Sequence, residues 1–153
     1  MLALRRLVLT DMAAAAAVHR VSFDRALPWL AGLHTPAEDR AFYRNQVFKS
    51  CDVWGAERQS KLVGIIAFRL DWIDQLYVLP DAQGHGVGSD LLEIAQGAFP
   101  LLDLWTFQRN LRARRFYEVN GFVAVRETDG AANEEKEPDV LCKAAGVAAE
   151  GRQ

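Results

Sequence analysis

A strand-forming run, WIDQLYVLP from Trp72 to Pro80, breaks into QGHGVG, Gln83 to Gly88. Apolar residues at helical spacing follow at once: Val87, Leu91, Leu92 and Ala95, with Pro100 closing the pattern. Glycine inside a helix costs about 1 kcal/mol relative to alanine. Glycines at 84, 86 and 88, across a helix start, therefore serve something other than local stability. A strand that ends in a glycine-rich turn and opens a helix is a phosphate cradle in several folds. Backbone N–H groups converge there, the helix dipole adds positive charge, and the missing side chains allow close approach.

Spacing separates the candidates. A P-loop needs Gly-Lys-Ser/Thr, and this loop has no lysine. A G-x-G-x-x-G fingerprint is met at Gly84 and Gly86 but has Ser89 in third place. The pattern Q/R-x-x-G-x-G/A is met in full by Gln83, Gly86 and Gly88. Charge sharpens the point. No lysine or arginine lies between Arg69 and Arg109, whereas Asp71, Asp74, Asp81, Asp90, Glu93 and Asp103 do. Phosphates bound here must rest on the amides of Gly84 to Ser89, with Arg109, Arg112, Arg114 and Arg115 as a second source of cations.

The 153 residues, half of them hydrophobic, suit one domain. We place it at 1–144, with 145–153 as a frayed tail. The expected elements are a strand from Leu4 to Leu9 and a helix from Asp11 to Phe23. A helix capped by Thr35, with Pro36 first and acidic Glu38 and Asp39, should follow to about Phe48. Next comes a hairpin of CDVWGAE and KLVGIIAFRL, then the strand WIDQLYVLP and a helix from Gly86 to Phe99. LLDLWTF is a strand, NLRARRFYEVN a helix stopped by Gly121, and FVAVRET and DVLCK are strands around the polar loop DGAANEEKEP. The order β-α-α-β-β-β-α-β-α-β-β gives a mixed sheet with helices on both faces. Trp54, Trp72 and Trp105 fall in strands and are expected in the core.

A net charge of −2 supplies no strong field toward nucleic acid or a membrane surface. No apolar run is long enough to span a bilayer. Cys51 and Cys142 have no CxxC partner or nearby histidine and read as small hydrophobes of a cytoplasmic protein, with no metal site expected.

Two segments together carry a resemblance. LYVLPDAQGHGVGSDLL resembles the acyl-CoA pyrophosphate motif of the GNAT superfamily of acetyl-CoA-dependent N-acetyltransferases. NLRARRFYEVNGF resembles that superfamily's second motif, N-x-x-A-x-x-F-Y-E-x-x-G-F, at Asn110, Ala113, Phe116, Tyr117, Glu118, Gly121 and Phe122. The resemblance covers nearly the whole chain. It implies an α/β fold with a largely antiparallel sheet and a splayed strand at the acyl-CoA site. It implies acetyl-CoA as co-substrate and direct attack by an amine in a ternary complex.

By the same resemblance, acetyl-CoA would contact Leu76, Tyr77 and Val78, the loop Gln83, Gly84, His85, Gly86, Val87, Gly88 and Ser89, and Asn110, Arg114 and Tyr117. Tyr117 would be the general acid, since a phenol near pKa 10 suits a thiolate leaving group of pKa about 8 to 9. Asp74 is the first candidate base, because period two puts it on one strand face with Leu76 and Val78; His34, Asp71, Glu134 and Glu135 are others. The acceptor would bind between FDRALPWLAGLHTP and DGAANEEKEPD, with Trp29, His34, Glu134 and Glu135 around it. The acidic groups favour a cationic amine of a small molecule or peptide, such as a polyamine, an amino sugar or a lysine-like group. A homodimer is the assembly the resemblance favours. The rival readings are a non-catalytic acyl-CoA-binding module and an acetyltransferase for a nucleic-acid-linked amine; the charge balance disfavours the latter.

Overall fold

The computed structural model describes residues 2–144. The proposed tail at 145–153 lies outside the described residues. Seven strands form one sheet in the order β1-β2-β3-β4-β5-β7-β6. They are β1 (Leu2–Arg6), β2 (Asp52–Arg58), β3 (Lys61–Arg69), β4 (Trp72–Val78), β5 (Asp103–Phe107), β6 (Phe122–Thr128) and β7 (Asp139–Ala144). All neighbouring pairs are antiparallel except β4 and β5. The helices are α1 (Met12–Ala26), α2 (Pro36–Phe42), α3 (Phe48–Ser50), α4 (Val87–Ala98) and α5 (Leu111–Val119). The element order matches the sequence reading, with one helix continued in two steps.

The local chemistry explains most boundaries. The first strand stops at Arg6 rather than Leu9 because Asp11 turns the chain: its carboxylate accepts the Val8 N–H at 2.7 Å and pairs with Arg5 at 2.8 Å. Thr35 caps α2 through a reciprocal box with Glu38, and Pro36 takes the first turn. From Tyr43 to Val47 the helix widens into a π segment before α3. The two-residue turn between β2 and β3 holds Gln59 and Ser60 at positive φ, as a tight hairpin of this type demands.

Two apolar layers sandwich the sheet. On one face α1 and the Tyr43–Val47 segment cover Ile65, Ala67 and Val53; Ala15 and Ala16 let α1 lie close. On the other, α4 and α5 cover Ile66, Phe68, Ile73 and Leu104 through Val87, Leu91, Leu92, Ala95 and Tyr117. Gly64 makes room for α4: a Cβ there would sit 3.0 Å from Val87 and 3.1 Å from Leu91. Of the tryptophans expected in the core, Trp105 is instead 40% exposed, with the Arg126 guanidinium over its ring.

Candidate active site

The parallel strands β4 and β5 register at one pair only, Trp72 with Asp103. Beyond it they splay, and a cavity of about 1290 Å³ opens between Ile73–Val78 and Leu104–Phe107. The Leu79 N–H donates to the Val63 carbonyl at 2.8 Å. Alternation along the β3–β4 ladder then turns the main-chain groups of Tyr77 and Gln75 toward β3, and those of Leu76 and Val78 toward the splay. The Val78 carbonyl is taken by Ser22 Oγ at 3.0 Å and Gln83 Nε2 at 2.8 Å. The N–H groups of Leu76 and Val78 and the Leu76 carbonyl remain for a ligand laid along the strand. Gln83 thus ties the glycine loop to the strand end, and Ser22, which no motif singled out, does the same from α1.

Asp74 does not share a face with Leu76 and Val78. A bulge interrupts β4: Phe68 pairs with Ile73 and Ala67 with Gln75, leaving Asp74 as the extra residue. Ile73 takes the inward place in the layer with Leu76 and Val78. The Asp74 carboxylate lines the cavity but is held by Arg69 Nε at 2.6 Å and approached by Cys51 Sγ at 3.2 Å. Burial and that carboxylate push the Cys51 thiol up to about 12, so it stays protonated.

The glycine loop is an open cradle. No N–H from Gly84 to Ser89 donates to another group among the described residues; the first helical bond is Asp90 N–H to the Gly86 carbonyl. Gly84 and Gly86 both sit at φ +83°, where a Cβ is strained, and a Cβ on Gly86 would meet nothing within 4 Å. Gly88 answers to a different need. A Cβ there would press on the Phe116 ring at 3.1 Å, so Gly88 lets α5 pack over the start of α4. His85 is exposed and off the cavity wall.

Asn110 caps α5, its Oδ1 accepting the Ala113 N–H at 3.2 Å, and also lines the cavity. Arg112 and Arg115 line it too, and Arg112 reaches to within 3.9 Å of the position a Gly84 Cβ would take. Arg114 turns the other way, toward the Gln108 carbonyl at 3.3 Å and Glu127 at 3.6 Å. Tyr117 is 8% exposed and wedged edge-on between Phe116 and Phe122. Its hydroxyl has no protein partner among the described residues, yet it is not sealed in; it opens to the cavity. Burial, with Tyr77 and Cys142 nearby, raises the phenol above its ordinary pKa and keeps it protonated at neutral pH.

At the other end the α1–α2 connection meets the β6–β7 loop. Arg109 grips Glu137 with two bonds of 2.6 and 2.8 Å, Trp29 Nε1 donates to the same carboxylate at 3.0 Å, and the Arg109 guanidinium stacks 4.1 Å from the Trp29 ring centroid. His34 binds Glu134 at 3.0 Å outside the cavity. Trp29, His34 and Glu134 therefore staple the two segments together. Of the four expected acceptor contacts, only Glu135 lines the cavity.

Residues 49–124 match the family model for the acetyltransferase (GNAT) domain. The chain is 37% identical over 79 residues to a probable N-acetyltransferase of Mycobacterium tuberculosis, covering 46% of this chain and 45% of that protein. It is 30% identical over 106 residues to an uncharacterized N-acetyltransferase of Archaeoglobus fulgidus, covering 52% of this chain and 72% of the relative. It is 29% identical over 80 residues to a peptidyl-lysine N-acetyltransferase of Escherichia coli K12, covering 52% of this chain and 55% of that one. The chain thus spans about half the length of two of these relatives. Among solved structures, apo YjaB of Escherichia coli superposes with a TM-score of 0.79 at 22% identity, over 95% of this chain and 99% of the other. The PaiA N-acetyltransferase of Thermoplasma acidophilum, solved with coenzyme A, superposes with a TM-score of 0.74 at 18% identity, over 95% and 99%. These two likenesses are of fold. With the splayed sheet, the open amide cradle and these relatives in agreement, the chain belongs to the GNAT acetyltransferase family.

Proposed function

We infer that the protein transfers the acetyl group of acetyl-CoA to a primary amine of a small molecule or peptide, by direct attack in a ternary complex. One observation carries the reading: a single cleft joins the free amides of Gly84–Ser89, the unpaired edge of β4 and the Tyr117 hydroxyl. The pyrophosphate would rest on the amide cradle, with the α4 dipole behind it and Arg112 beside it. The pantetheine would lie along the Leu76–Val78 edge like an added strand. The amine lone pair attacks the thioester carbonyl carbon, and a Leu76 or Val78 N–H stabilises the oxyanion. As the intermediate collapses the C–S bond breaks, Tyr117 protonates the departing thiolate, the acceptor's proton passes to solvent, and solvent returns a proton to Tyr117. Asp74 is already engaged by Arg69 at 2.6 Å, and no step is routed through it.

The Escherichia coli relative is a peptidyl-lysine N-acetyltransferase, which favours a lysine-like acceptor. The test is thiol release from acetyl-CoA with a panel of amines. Release that depends on the amine supports the reading; acetyl-CoA binding with no amine-dependent release would instead mark a non-catalytic acyl-CoA-binding module.

A further inference from the structure

Carboxylates gather at the acceptor end of the cleft, and nearly all have partners. Asp74 is paired with Arg69. Asp139 accepts from Thr128 Oγ1 and from Asn133 Nδ2 at 3.1 Å. Glu137, behind the wall, is held by Arg109 and Trp29. Glu135 differs: it lines the cavity, half-buried, with no hydrogen-bond or ion-pair partner among the described residues. A carboxylate drawn from water toward a cavity is normally matched by a cation or donors. Glu135 is left free to meet a partner that enters the cavity.

Two further polar groups face the same space without protein partners among the described residues, the hydroxyls of Tyr77 and Tyr117. Burial raises the Tyr77 phenol, and the charge of Glu135 raises it further; Tyr77 in turn acts on Tyr117. The three groups line one cavity, Glu135 from the β6–β7 loop, Tyr77 from β4 and Tyr117 from α5. The same cavity carries aromatic lining from Phe23 and Phe107. Phe107, paired with Asp139, meets Phe23 edge to face at 6.1 Å between centroids. The loop itself is built to stay put: Asn133 bonds the Glu137 carbonyl at 2.7 Å, and a side chain at Gly130 would run into the Glu137 main chain.

We propose that Glu135 docks an ammonium group of the acceptor, with the Tyr77 hydroxyl as second contact. The acceptor class is an alkylammonium: a flexible aliphatic chain, lying against Phe23 and Phe107, that carries a primary amine. The assignment rests on the acetyl-transfer reading for its purpose, but it can be measured apart from it. Calorimetric titration of 1,5-diaminopentane into the CoA-saturated protein reads the contact without turnover. The wild type binds; Glu135→Gln weakens binding about tenfold or more, and Tyr77→Phe by about threefold. Glu93→Gln, which removes the same charge from the exposed side of α4, leaves it unchanged. In steady-state assays Glu135→Gln raises the KM for the amine by a similar factor while the KM for acetyl-CoA stays put. Equal diamine affinity in wild type and Glu135→Gln, no binding to the wild type, or an equal loss in Glu93→Gln overturns the assignment. Charge-dependent binding with no acetyl transfer would defeat the acetyl-transfer reading and leave the docking role. Acetyl transfer indifferent to Glu135 would do the reverse.

Discussion

The three glycines of the opening loop look alike in sequence and do different work. Gly86 supplies a left-handed backbone at the start of α4, Gly84 a second one just before it, and Gly88 a flat seat for Phe116. The pattern was legible in the sequence, but the division of labour was not, because it depends on how α5 crosses α4. The same crossing decides which arginines of α5 meet the cleft: Arg112 and Arg115 do, and Arg114 does not. Arg112 stands four residues before Phe116 and shares its side of α5, whereas Arg114, three before the buried Tyr117, is drawn toward β6. That spacing was a usable signal for Arg112, which the sequence reading passed over in favour of Arg114. Tyr117 stands out in the sequence through its motif, and its partnerless hydroxyl opens to the cleft, as the proposed proton donor requires. Tyr117→Phe should lower kcat by about a hundredfold or more while the Kd for acetyl-CoA changes by less than about threefold. Stopped-flow turnover with direct binding measures both. Unchanged turnover would remove Tyr117 from the mechanism.

Among the elements, α1 holds a group that the chemistry leaves unused. His19 Nδ1 meets the Tyr43 hydroxyl at 2.6 Å, and its ring lies 4.3 Å from Tyr77. Burial, reinforced by Arg20 and His34 and opposed by Asp39, lowers its pKa from 6.5 to about 4. The unfolded chain takes up this proton below pH 6.5, and the folded one resists until about pH 4. Stability should therefore fall as pH drops through that window, by at most about 3 kcal/mol from this residue. Urea unfolding across pH should show a shallower dependence in His19→Gln; identical slopes would remove His19 as the cause. The staple of Trp29, Arg109 and Glu137 is the other element-scale device, since it fixes the β6–β7 loop that carries Glu135. Glu137→Gln should lower Tm and raise the KM for the amine together. A lowered Tm with an unmoved KM would limit the staple to stability. The family resemblance put both segments around the acceptor, but the sequence could not say that Trp29, His34 and Glu134 are spent on joining them. Partners so distant in the chain leave no local pattern.

At the scale of the molecule, element order was legible because each strand and helix carries its own period and breakers. Strand order was less so. The placing of β7 between β5 and β6, and the single registered pair of β4 with β5, are settled by long-range contacts. That one pair creates the cleft, and the bulge at Asp74 sits where the strands part. A ligand that fills the cleft and bridges β4, α4 and α5 should stabilise the whole fold. Acetyl-CoA at a hundred times its Kd should add about 2.7 kcal/mol, read as a Tm rise of about 5 to 10 °C; no rise at saturation would place its binding elsewhere. The central claim is that main-chain amides, rather than side-chain cations, hold the pyrophosphate. Calorimetry of acetyl-CoA on Gly86→Val and His85→Ala, each confirmed folded by circular dichroism, tests it most directly. Binding should be lost at least about a hundredfold in Gly86→Val and kept within about threefold in His85→Ala. Normal binding by a folded Gly86→Val, or a large loss in His85→Ala, would contradict it.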